Sequence, residues 1–170
     1  MKRLLIFLFA GAAILSSPMC MSAKKKGYRL QVEKATASDQ EEENMAKGSF
    51  MVASQCEDCN NGYNIGQISF AGYDKPRNSA VETFFITNHT DRLMTGISLY
   101  IEYLTLDGRQ LNKRYVRLSC HIPPGETRSV EVKSWDRQKA FHYEKSDAGK
   151  KGDSTPYTVV FDPIAFYLRF

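Results

Sequence analysis

Between Gly48 and the carboxyl terminus the chain is dense in β-branched and aromatic residues, broken at short intervals by turn-forming residues. Seven runs predict strands: Phe50 to Ser54, Tyr63 to Phe70, Val81 to Asn88, Thr95 to Leu106, Leu111 to Cys120, Thr127 to Ser134 and Thr158 to Phe170. The alternation is clearest from Gly96 to Leu104. There Ile97, Leu99, Ile101 and Tyr103 share one face and Ser98, Tyr100 and Glu102 the other, the pattern of a half-buried strand. The last run repeats it, with Ile164, Phe166, Leu168 and Phe170 set against Ala165, Tyr167 and Arg169. No comparable stretch carries a helical period.

The connections fit the same plan. Asp107-Gly108 is a tight-turn dipeptide between two alternating runs, because glycine accepts the positive φ that a short hairpin needs. Asn88 to Asp91 and Pro123 to Glu126 mark further reversals, the latter with prolines where no ladder N–H is required. About seven short strands with frequent turns predict an all-β chain, an antiparallel β-sandwich of the immunoglobulin-like kind, over residues 49–170. Glu144 to Thr155 is a polar, glycine-containing connection.

Ahead of this domain the chain is organised differently. Met1-Lys2-Arg3 opens with positive charge, Leu4 to Leu15 is apolar, and Ser16, Ser17 and Pro18 follow, with small residues around Ser22 and Ala23. That order predicts a signal peptide over residues 1–23, too short in its apolar part to span a bilayer as a helix. The mature chain is therefore expected in the periplasm or at the cell surface, peripheral to a membrane at most. Lipid attachment at Cys20 is the less favoured form of export, because Met19 replaces the small residue that usually precedes a lipidated cysteine. Residues 24–48 form a polar arm, with Lys24 to Lys26 followed by the acidic Glu41 to Glu43. Within it Tyr28, Leu30 and Val32 alternate, so this stretch is a candidate for pairing at a sheet edge.

Motifs in the run Phe84 to Val132 bear a likeness to a known group. Asn88-x-Thr90, the alternating Ile97 to Tyr103, Asp107-Gly108 and Pro124-Gly125-Glu126-Thr127 follow one another in an order that resembles FxLYD-type and related immunoglobulin-like domains of secreted bacterial proteins. The resemblance covers about a third of the chain. It implies the fold and a non-enzymatic accessory role in the cell envelope, and it names no ligand. The aromatic stretch from Trp135 to Tyr143 falls outside it.

Charge removes one class of partner. The net charge is +4, and Lys2 and Arg3 of the leader supply two of those charges. The remaining 21 basic groups face 19 acidic ones, a balance of +2, whereas a binder of polyphosphate needs a concentrated basic face to release counterions, so nucleic acid is not an expected partner.

Chemistry centres on the cysteines. Cys56-x-x-Cys59 and Cys120 remain once the leader is removed. A thiol redox pair is one reading, opposed by the anionic Glu57 and Asp58, which disfavour a thiolate. A zinc set of Cys56, Cys59, Cys120 and His121 is another, opposed by the alternation that sends Cys120 and His121 to opposite faces. A structural bridge from Cys56 or Cys59 to Cys120 is the plainer account. It closes a loop of roughly 60 residues and adds about 4 kcal/mol on the chain-entropy model; a bridge within Cys56-x-x-Cys59 is a further alternative. These readings make a thiol-based redox or metal-binding protein the alternative to a binding module, with neither metal nor cofactor expected.

Other catalytic signatures do not occur: the chain has no glycine-rich phosphate loop, no G-x-S-x-G elbow and no H-E-x-x-H. His89, His121 and His142 read as surface residues, and Glu82 and Glu102 as solvent-facing carboxylates of neighbouring strands. Trp135, Phe141 and Tyr143, with Phe166, Tyr167 and Phe170, are an aromatic group that either fills the core or gives a glycan or peptide a platform. The expected partner is an envelope protein or glycan. The apolar terminal strand through Phe170 is the candidate for strand addition.

Overall fold

The computed structural model describes residues 32–34, 48–56, 58, 60–148 and 154–170, the first of these stretches by its backbone alone. The leader over residues 1–23 and most of the arm over residues 24–48 lie outside the described residues. In chain order the strands are β1 (Val32–Lys34), β2 (Ser49–Ala53), β3 (Ile68–Asp74), β4 (Val81–Asn88), β5 (Met94–Thr105), β6 (Gln110–Ile122), β7 (Thr127–Lys133), β8 (Phe141–Tyr143) and β9 (Thr155–Arg169). The described residues hold no α-helix. One sheet has the order β1-β7-β4-β3; the other has β2-β9-β5-β6, with β8 added to the start of β9.

The main pairings are antiparallel, as the alternating runs require. Two short ones are parallel: β1 lies along β7 at the edge of the first sheet, and β8 along β9. The β4 strand begins and ends where the sequence places it. The expected strand over residues 63–70 does not form as one piece. Ile65–Gln67 folds into a 3₁₀ turn, closed by the Asn64 N–H on Gln67 Oε1 at 3.1 Å, so β3 starts at Ile68 and runs on to Asp74. The terminal strand is not an open edge: β5 pairs it along its length and β2 takes its last residues on the other side.

The two sheets pack face to face. Phe84 and Ile86 of β4 and Val130 and Val132 of β7 meet Ile97, Leu99 and Ile101 of β5, Leu118 of β6, and Phe166 and Leu168 of β9. Across the layers Phe70 of β3 stacks on Phe161 of β9, ring centroids 4.8 Å apart. Full burial of each such side chain contributes roughly 1.5–3 kcal/mol.

One-residue bulges in β3, β5 and β9 help set which side chains reach this interior, and β6 has two register shifts of its own against β5. In β5 the pairing skips Thr95, so the inward phase passes from Met94 to Ile97. The Thr95 hydroxyl bonds Tyr167 O and Ser49 Oγ there. In β9 the pairing passes from Ala165 to Pro163, leaving Ile164 as the extra residue, whose carbonyl accepts from Ser54 N at 2.7 Å. Tyr157, Val159 and Phe161 therefore point inward before the bulge, and Phe166 and Leu168 after it. The uninterrupted face expected from Ile164 to Phe170 is broken at both ends: Ile164 is half-buried and Phe170 is exposed. In β3 the bulge falls at Gly72, with φ +59°. A Cβ there would lie 2.6 Å from the Phe85 ring, so glycine is required twice over. Beyond it the inward phase moves from Ile68 and Phe70 to Tyr73 and Lys75.

Candidate ligand groove and its buried supports

The bulge at Gly72 delivers a lysine to the interior. Lys75 is fully buried, and its Nζ donates to Asp136 Oδ2 at 2.9 Å and to Phe141 O at 2.6 Å. Asp136 also accepts from Ala140 N at 3.1 Å and Phe141 N at 2.8 Å. Burial pushes the Asp136 carboxyl up. The bonds from Lys75 and the two backbone N–H groups outweigh that and hold it below the usual carboxylate range.

A second buried carboxylate lies beside it. Glu82 of β4 accepts from Tyr103 OH at 2.7 Å, Arg114 Nη2 at 3.0 Å and Trp135 N at 3.0 Å. Arg114 of β6 also donates to Tyr103 OH at 2.8 Å and to Lys133 O at 2.7 Å, joining the two sheets through one guanidinium. Below these, Tyr73 and Tyr157 share a hydrogen bond at 2.7 Å. Burial drives the phenols of Tyr73, Tyr103 and Tyr157 well above their ordinary value, and the Glu82 charge adds to it in each case.

Both carboxylates thus bond to backbone N–H groups of the segment between β7 and β8, anchoring its ends at Trp135 and at Ala140 and Phe141. Rings fill the space between: the Trp135 indole lies 5.0 Å from Tyr103, 5.0 Å from Phe141 and 5.8 Å from Tyr157. Its Nε1 is buried and faces the Tyr157 phenol, but among the described residues no acceptor meets it in full hydrogen-bond geometry. The outer side of the same segment walls an open groove of about 710 Å³. Ala80, Val81 and Trp135 give it hydrocarbon, and Arg114, Lys133, Arg137 and Lys139 give it positive charge. Its volume is within the range of small-ligand sites. The acidic groups in and under it are bonded from within, so the groove offers positive charge, with Asn112 and Ser134 as its uncharged polar side chains.

The sequence candidates are distributed as follows. Trp135 and Phe141 are in contact, and Tyr143 packs one step further along, 4.9 Å from Tyr73; all three are half-buried. Cys120 is a thiol buried in the core, which overturns the expected bridge from Cys56 or Cys59 to Cys120. Its strand places it on the inward phase with Leu118 and Ile122. No disulfide joins two described cysteines, and Cys59 lies outside the described residues. His121 is exposed while Cys120 is buried, and among the described residues no group of three His, Cys, Asp or Glu side chains is placed to hold a metal ion.

Two expectations about polar residues fail. His142 is buried, its Nδ1 paired with Ser154 Oγ at 2.7 Å, because β8 is drawn in along β9; His89 and His121 are exposed. Glu82 is buried and Glu102 belongs to the other sheet, so the two are not neighbours. Glu82 shares the parity of Phe84 and Ile86, and Arg114 that of Leu118 and Cys120. That signal was present in the sequence. Lys75 had no such signal, since its phase depends on the bulge.

No family model, curated protein or solved structure matches the chain. The site stands on its geometry.

Proposed function

We propose that the chain is an exported, non-catalytic binding module of the bacterial cell envelope, built on an immunoglobulin-like sandwich, with the groove beside Trp135 as its binding surface. The leader-like opening and the likeness to secreted FxLYD-type domains support the compartment. One observation carries the binding role: the groove wall from Trp135 to Lys139 is pinned from beneath by two buried carboxylates, while its outer side presents unneutralised cations. A wall fixed in advance loses little freedom when a ligand arrives. Glu82 and Asp136 have their oxygens occupied by donors, which suits them to support rather than to proton transfer.

The test uses the mature protein and the envelope fraction of its native cell. Arg137 and Lys139 are both exposed, so reversing them spares the fold. The double variant R137E/K139E should lose retention on that fraction about tenfold, equivalent to about 1.4 kcal/mol. K145E, reversed at an exposed site outside the groove, should not. Equal retention of all three proteins removes the groove from the proposal, and a mature chain that still begins with Lys2 and Arg3 removes export.

A further inference from the structure

We infer that the occupant of this groove is an extended peptide segment of a partner protein in which acidic side chains alternate with apolar ones. The inference rests on the groove being the binding surface and goes on to name the chemistry that fits it.

Charge is the first argument. Among the four cations of the lining, Arg114 is neutralised by Glu82 at 3.0 Å. Among the described residues no carboxylate pairs with Lys133, Arg137 or Lys139. The one acid of the lining, Asp136, is spent on Lys75. Three uncompensated cations around one depression favour an anion bearing more than one charge.

The second argument separates peptide from glycan. A neutral sugar needs acceptors as well as donors for its hydroxyls; Glu82 and Asp136 are turned inward on donors of their own, which leaves Asn112 and Ser134 as the uncharged side-chain acceptors of the lining beside four cations. Trp135 is half-buried among Tyr103, Phe141 and Tyr157, so only part of its indole is open to the groove. The groove instead offers hydrocarbon from Ala80, Val81 and Trp135 between its cations, with Val81 38% exposed. Acidic side chains meeting Lys133, Arg137 and Lys139, with an apolar side chain between them, match that arrangement.

Trp135 is the only tryptophan of the chain and lines the groove, so its fluorescence reports occupancy directly. The probes are a six-residue peptide alternating glutamate and leucine, its glutamine counterpart, a trimer of galacturonate, and inorganic phosphate. The glutamate–leucine peptide should give a saturable change that weakens about tenfold in R137E/K139E and weakens further with added salt. The glutamine peptide should bind at least tenfold more weakly. Equal binding of the two peptides overturns the role of charge. Tighter binding of the galacturonate trimer, or of phosphate alone, assigns the groove to an acidic glycan or a small anion and overturns the peptide; if R137E/K139E abolishes that binding, the groove itself stands. Silence toward every probe, with unaltered envelope retention of R137E/K139E, overturns both readings together.

Discussion

The two ends of the sandwich interior are built on different principles. One end is mainly hydrocarbon: Val52, Ile86, Met94, Ile97, Leu99, Leu118, Ile122 and Leu168 close on one another with almost no exposure, and the uncharged Asn88 and Thr90 are hydrogen-bonded at its margin. The other end mixes rings with ions: Tyr73, Lys75, Glu82, Tyr103, Arg114, Trp135, Asp136 and Tyr157 meet there through the hydrogen bonds described above. Apolar packing is non-directional and tolerates rearrangement. A buried charge does not, because each ion must keep its partners or bear the cost of desolvation. The hydrocarbon end therefore supplies stability, and the ionic end supplies a fixed surface on which a groove can be held.

Removing one member of the buried pair should separate the two most sharply. Asp136→Asn leaves the Lys75 ammonium buried without its carboxylate and should cost about 3–5 kcal/mol by denaturant unfolding, with groove affinity falling alongside. The pH dependence follows from the same carboxyl. Its folded-state pKa is depressed, so its contribution is present at neutral pH and is lost as pH falls below the ordinary carboxylate value of about 4. The acid limb of the stability profile should be shallower in the variant; an unchanged limb would place the acid sensitivity elsewhere.

Leu99→Ala, at the hydrocarbon end, should cost about 3 kcal/mol through the cavity it opens, and leave peptide affinity at the groove unaltered. A matching loss of affinity would mean that the two ends are coupled. Gly72→Ala tests the link between them, because this residue turns Tyr73 and Lys75 inward. A methyl group 2.6 Å from Phe85 on a backbone at φ +59° should cost about 2 kcal/mol, seen as a lower melting temperature. Wild-type stability there would show that the bulge can form without glycine.

The same contrast explains what could be read from the chain. Alternation in β4, β5 and β7 announced the strands and the apolar faces, since a period of two is the direct imprint of a one-sided sheet. The all-β class and the pairing of two sheets followed from it. The ionic end was legible only in part. Glu82 and Arg114 stand in inward phase beside Phe84 and Leu118, and parity alone would have flagged them. Lys75 reaches the core only because the bulge at Gly72 moves the phase by one, and Asp136 lies in a connection where no period applies. Of its partners, Lys75 is 61 residues away, past the end of β3, and Phe141, only five away, lies in a three-residue parallel strand too short to stand out. Cys120 misled for a related reason, because a cysteine in inward phase is as well explained by packing as by a bridge.

The bulge residues Gly72, Thr95 and Ile164 have one more consequence, at the level of the gene. Each is a single position at which a strand counts one more than its neighbour. Loss of the Ile164 codon would bring Pro163 and Ala165 together opposite Leu99 and Ser98, giving a strand without a bulge on which Phe166 and Leu168 still face inward. Length variation in such a domain should therefore be tolerated inside the strands at these positions, and an alignment that allows gaps only in loops would misplace the ends of β3, β5 and β9.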